Sequence, residues 1–81
     1  MNTTEATKVE WKIQRRGGYT NHVAEVYGIR LAVFRPTPDA DFVLAVDHVD
    51  QPGTYATAAA GRKAAEAIVA GWDAIAEGEA R

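Results

Sequence analysis

An α+β fold is what this sequence predicts: a β-β-β-α order in which a C-terminal helix packs on one face of a three- to four-stranded antiparallel sheet. Three observations carry it. Apolar Val9, Trp11 and Ile13 alternate with polar Glu10, Lys12 and Gln14, the period of a half-buried strand. Tyr27-Gly28 separates two apolar runs, as a two-residue hairpin connection does. From Ala58 to about Glu77 the chain is rich in alanine and follows Thr57, a residue type that caps helix starts.

Residues 1–8 read as a disordered polar leader, residues 9–78 as a single domain and residues 79–81 as a tail. The first strand runs from Val9 to a basic, glycine-bearing loop, Arg15-Arg16-Gly17-Gly18-Tyr19, that reaches to His22. His22 to Val26 and Ile29 to Phe34 form the central hairpin. Its tight turn sets Val26 opposite Ile29, Ala24 opposite Leu31 and His22 opposite Val33, all on one side. Pro36, Pro38, Asp39 and Asp41 end that ladder, because proline donates no backbone hydrogen bond and aspartate favours turns. Phe42 to His48 is the next apolar run. Asp50-Gln51-Pro52-Gly53 is a turn signature, after which Thr54 to Ala56 is either a short edge strand or the lead into the helix. At 100° per residue, Gly61, Ala64, Ala65, Ile68, Gly71, Trp72 and Ile75 share one stripe, with Arg62, Glu66, Asp73 and Glu77 opposite. Gly61 lies in that stripe, where a missing side chain lets helix and sheet approach closely.

Composition narrows function by exclusion. The 81 residues hold neither cysteine nor serine, which removes disulfides, thiolate metal sites and serine or cysteine nucleophiles. No long apolar run or signal segment is seen, so a cytoplasmic protein without a membrane partner is expected. The net charge of −2 is unlike that of a phosphate-dominated binder, but it is unevenly spread. Up to Pro38 six cations face three carboxylates, and from Asp39 onward three cations face eight carboxylates.

One helix covers one sheet face. The other shows Val23, Glu25, Arg30, Ala32, Phe34, Val43 and Ala45, too apolar for a fully solvated surface. The expectation is a partner-binding face anchored by Phe34, Val43 and Val23, flanked by Arg30 and Glu25, with Arg15 and Arg16 reaching acidic surface; the alternative is that Phe34 and Val43 are scattered exposed apolar residues, or are covered by the leader and the Pro36 to Asp41 loop. Asp47-His48-Val49-Asp50 holds metal-ligand types, but polar residues closing a strand explain the same letters, and no metal or other cofactor is expected. With no nucleophile, phosphate loop or paired carboxylates beside the histidines, the expectation is not an enzyme. Tyr19, Tyr27 and Tyr55 are base-stacking candidates or peripheral packing residues.

Two resemblances add to this. Gly61-Arg62-Lys63-Ala64-Ala65-Glu66-Ala67-Ile68-Val69-Ala70 is similar to the last helix of double-stranded RNA-binding domains, which opens on a basic pair before an alanine-rich stripe. It implies a nucleic-acid alternative in which Arg62 and Lys63 match the basic pair and His22 sits near the phosphate-gripping loop, although Glu66 stands where a third cation belongs. Trp11, the run Ala24-Glu25-Val26-Tyr27-Gly28-Ile29-Arg30-Leu31-Ala32-Val33, then Phe42, Leu44, Val46 and Ala64-Ala65-Glu66 resemble small phage and bacterial proteins. Those motifs are packing positions, so they imply the fold. By analogy of size and style with anti-CRISPR proteins they also imply a phage or mobile-element protein that docks on a host protein or complex and inhibits it. A homodimer through the uncovered sheet face is the further expectation for partners.

Overall fold

Five antiparallel strands, one more than the sequence suggests, run in simple meander order and are followed by one helix. The computed structural model describes residues 8–17 and 19–79, without the side chains of Arg16 and Glu79. The strands are β1 (Lys12–Arg16), β2 (Tyr19–Val26), β3 (Ile29–Phe34), β4 (Val43–Val46) and β5 (Val49–Asp50), and the helix is α1 (Ala58–Glu79). Residues 1–7 and 80–81 of the expected leader and tail lie outside the described residues; Lys8 is exposed.

The β2–β3 register is the one the hairpin chemistry predicts, with Val26 opposite Ile29, Ala24 opposite Leu31 and His22 opposite Val33. Tyr27 and Gly28 both take positive φ, 55° and 75°, which matches the twist of a two-residue turn to that of its strands. A tyrosine in this region is unusual. Its side chain is held by an edge-on contact with Trp72, 6.5 Å between ring centroids, and by a hydroxyl that donates to Asp73 Oδ1.

Several boundaries differ from expectation. β1 starts at Lys12, and Val9 and Trp11 pack on the core from outside the ladder, with Trp11 Nε1 donating to Glu66 Oε2 at 3.1 Å. The expected loop from Arg15 to His22 is mostly strand, because Arg16 already sits opposite Tyr19 and only residues 17 and 18 connect. At the other edge the run from Phe42 to His48 breaks at Asp47 and His48, both at positive φ (53° and 66°), and the chain returns as β5. Aspartate and histidine tolerate that region better than most non-glycine residues. Tyr55 forms an isolated bridge to Phe42, with N–H···O distances of 2.7 and 2.9 Å, which settles the Thr54 to Ala56 segment as a lead into the helix pinned at one point.

Thr57 caps α1 through Oγ1, which accepts from Ala60 N at 3.1 Å. The helix lies over β2, β3 and β4. Its buried line is Gly61, Ala65 and Val69, with Ala58, Ile68 and Trp72 partly buried beside it. This is the expected stripe turned toward Val69: Gly71 and Ile75 are exposed, while Arg62 and Asp73, expected on the solvent side, are half-buried. Leu31, Val33, Leu44 and Val69 form the innermost packing. A Cβ built on Gly61 would stand 2.8 Å from Val33 Cγ1, inside van der Waals contact.

Gly61→Ala should therefore destabilise by about 1 kcal/mol net, overpacking of about 1 to 3 kcal/mol outweighing a helix-propensity gain near 1 kcal/mol. Gly71→Ala, with nothing within 4 Å of its added Cβ, should stabilise by up to about 1 kcal/mol. Urea midpoints that move the same way for both variants would contradict the close approach.

Candidate interaction surface

The sheet face turned away from α1 is built in three parallel rows, because each strand contributes alternate residues to it and the meander sets them side by side. The central row crosses all five strands: Lys12 opposite Val23, Val23 opposite Ala32, Ala32 opposite Ala45, Ala45 opposite Asp50. To one side, Glu25 stands opposite Arg30 and both are exposed. To the other, Phe34 stands opposite Val43 and both are half-buried. Among the described residues no helix or strand lies over these rows.

The apolar part of this face is more recessed than the sequence suggests. Val23 and Ala45 are each only 7% exposed. Small side chains form the floor, and the walls around Val23 are Glu10, Lys12, Gln14, Glu25 and Arg30, which enclose a depression of about 350 Å³. Two cations, two carboxylates and an amide over an aliphatic floor suit a protein surface of mixed polarity better than a polyanion.

Arg15 and Arg16, expected to extend this face from a loop, are strand residues. Arg15 is exposed on β1 opposite Thr20, on the other side of the sheet from Lys12 and Gln14. The side chain of Arg16 lies outside the described residues. They therefore border the surface along the β1 edge.

The residues of the nucleic-acid alternative are only partly brought together. His22, half-buried, faces the helix near Arg62, and neither His22 Nδ1 nor Arg62 Nε has a hydrogen-bond partner among the described residues. Burial, and secondarily the Arg62 charge, hold the imidazole below its ordinary value. Lys63 is exposed, and consecutive helix positions do not face one another, so Arg62 and Lys63 present no common cationic surface. Asp47 and His48 form the β4–β5 turn, and no group of three His, Asp or Glu among the described residues could hold a metal ion. No described helix is long and apolar enough to cross a membrane.

The expected stripe left one surface unseen. Tyr27, Ile29, Trp72, Ile75 and Ala76 line an apolar groove of about 220 Å³ where α1 runs past the β2–β3 turn, with Tyr27 56% and Ile75 63% exposed. The signal was length: 22 helical residues span about 33 Å, and six strand residues about 20 Å, so the last turns overhang the sheet. No family model matches the chain, no curated protein matches it, and no solved structure matches it.

The His22 environment fixes a pH dependence. Its folded-state value lies below about 6.5, so the unfolded chain takes up the proton first, and stability is full above about 6.5 and declines as pH falls toward the folded-state value. By NMR titration His22 should protonate below the ordinary imidazole value of about 6.5, and Arg62→Gln should move His22 upward. Unchanged His22 titration in that variant would show that Arg62 does not act on it.

Proposed function

We propose that this chain is a non-enzymatic protein-interaction module whose docking surface is the sheet face turned away from α1. The observation that supports it is the uncovered Phe34–Val43 pair lying one row from the recessed Val23–Ala32–Ala45 row, with the exposed Glu25–Arg30 pair beyond. An aromatic anchor flanked by charges of both signs is the arrangement from which interfaces draw affinity and orientation. That the chain is phage or mobile-element encoded, acts in the cytoplasm, and docks on and inhibits a host complex is part of the same proposal, taken from its likeness to small phage and bacterial proteins. A second copy on the same face is the alternative occupant. The nucleic-acid reading has less support, because Arg62 is half-buried and splayed from Lys63.

The test is capture of associated chains from a lysate of the native host, with and without nuclease, beside sedimentation of the pure protein. Phe34→Asp and Arg30→Glu should each lower recovery of a nuclease-resistant partner, or of the dimer, by about tenfold, and Arg62→Ala/Lys63→Ala should not. Arg30 is exposed, so Arg30→Glu remains informative if Phe34→Asp unfolds the sheet. Recovery that disappears with nuclease and depends on Arg62 and Lys63 would overturn the reading.

A further inference from the structure

We propose that β1 is a strand-addition site for an acidic, extended segment of a partner protein. The inference deepens the protein-module reading and rests on it.

Among the described residues β1 is the outer strand on its side of the sheet and pairs only with β2, so its other ladder side is open along five residues. Open edges of this length are ordinarily blunted by proline, a bulge, extreme shortness, a covering element or charged side chains, and of these β1 carries only the charges, which turn away a like-charged strand and admit an acidic one. Here the run Lys-Ile-Gln-Arg-Arg contains no proline, and its register with β2 is unbroken from Lys12 to Arg16. The helix lies over β2, β3 and β4 and leaves β1 bare, so Ile13, on the helix side, is 55% exposed. Backbone groups and an aliphatic side chain are thus offered together, which is what an added strand uses for affinity and register.

Charge selects the occupant. Lys12 and Arg15 are exposed on opposite faces of β1, and the strand carries no carboxylate. A second copy laid antiparallel on the same edge meets its own sign of charge, which is unfavourable for directly opposed residues. The far edge is acidic, with Asp47 and Asp50, but β5 has two residues and cannot supply a ladder matching the five of β1. A nucleic-acid strand would meet Glu10, Glu25 and Glu66 on the surfaces flanking the edge, and a net charge of −2 overall. An extended acidic segment meets none of these obstacles. Added antiparallel, it satisfies the edge when carboxylates stand opposite Arg15 and Lys12 and a β-branched aliphatic stands opposite Ile13. Read from its N-terminus, the segment is acid, any residue, aliphatic, acid.

The probe is a capped nonapeptide with the core Asp-Thr-Val-Glu. The comparison is the same peptide with the core Lys-Thr-Val-Lys, and both are titrated against the full chain. The acidic peptide should bind about tenfold more tightly, slow amide exchange at residues 12–16, and exchange places with the basic peptide in the variant Lys12→Glu/Arg15→Glu. Both substituted side chains are exposed, and thermal unfolding checks the fold. Equal binding of the two peptides, protection confined to other residues, or an oligonucleotide of equal charge binding more tightly would overturn the proposal. So would self-association that Lys12→Glu/Arg15→Glu abolishes, since the occupant would then be a second copy. Arg30→Glu separates this proposal from the reading beneath it. Lysate capture lost in Arg30→Glu but intact in Arg15→Glu overturns the edge site and leaves the module standing; capture lost only in Arg15→Glu supports the edge, because Arg15 lies on the side of the sheet away from the proposed face.

Discussion

The approach of α1 to β3 at Gly61 sets the architecture. One helix must cover enough of the sheet to make a core from Leu31, Val33, Leu44, Ala65 and Val69, and at this length a core rarely leaves more than about 3 to 5 kcal/mol of net stability. A side chain at position 61 would lift the helix from Val33 and open the layer beneath Ala65 and Val69. Around that contact the remaining fastenings are peripheral: the Thr57 cap, the Phe42–Tyr55 bridge, the Trp11–Glu66 hydrogen bond and the Tyr27 contacts with Trp72 and Asp73. Because the helix sits low over β2 to β4, no described helix or strand covers the two edges or the outer face.

A meander also converts sequence order into spatial order. With strands placed β1 to β5 in sequence order, the cations of Lys12, Arg15 and Arg16 stand at one sheet edge and Asp47 and Asp50 at the other. Lys12 and Asp50 close the two ends of a single cross-sheet row whose interior is Val23, Ala32 and Ala45. In a topology with crossovers the same composition would have been mixed. Charges of opposite sign at the two edges are the kind of asymmetry that steers charged partners under the proposed reading.

What the sequence disclosed follows how local the cause is. Tyr27-Gly28 determines its hairpin from two residues, so the limits of β3 and the entire β2–β3 register were legible, and with them the placement of Glu25, Arg30, Phe34 and Val43 on one face. The Thr57 cap and the close packing of Gly61 were legible for the same reason. The fifth strand was hidden because its turn uses Asp47 and His48 at positive φ in place of glycine, which left their chemistry open to a metal reading. The basic loop was misjudged because arginine-rich residues next to glycines look solvated, although Arg15 and Arg16 complete a ladder against Thr20 and Tyr19. The stripe of α1 was set too far toward Ile75 because periodicity alone weights every turn equally; tertiary packing selects Val69, under which the sheet lies, over Ile75, beneath which it has ended.

That overhang and the bare β1 edge have one origin. A single helix laid across a meander can follow only part of it: here it covers the three inner strands and runs on past the β2–β3 turn. Among the described residues no second helix or returning segment covers β1, the outer face or the groove beside Trp72. Ordering about a dozen more residues over them would cost about 1 to 2 kcal/mol each, which a core this small could not readily offset. Leaving them open costs little so long as the exposed surfaces resist pairing with themselves. At the edge Lys12 and Arg15 do so by like charge, whereas the outer face, with Glu25 and Arg30 of opposite sign, leaves a second copy as the alternative occupant. Under the proposed reading, the edge that repels its own copy calls for carboxylates in a partner, and the face for a surface of mixed polarity shaped to the recess.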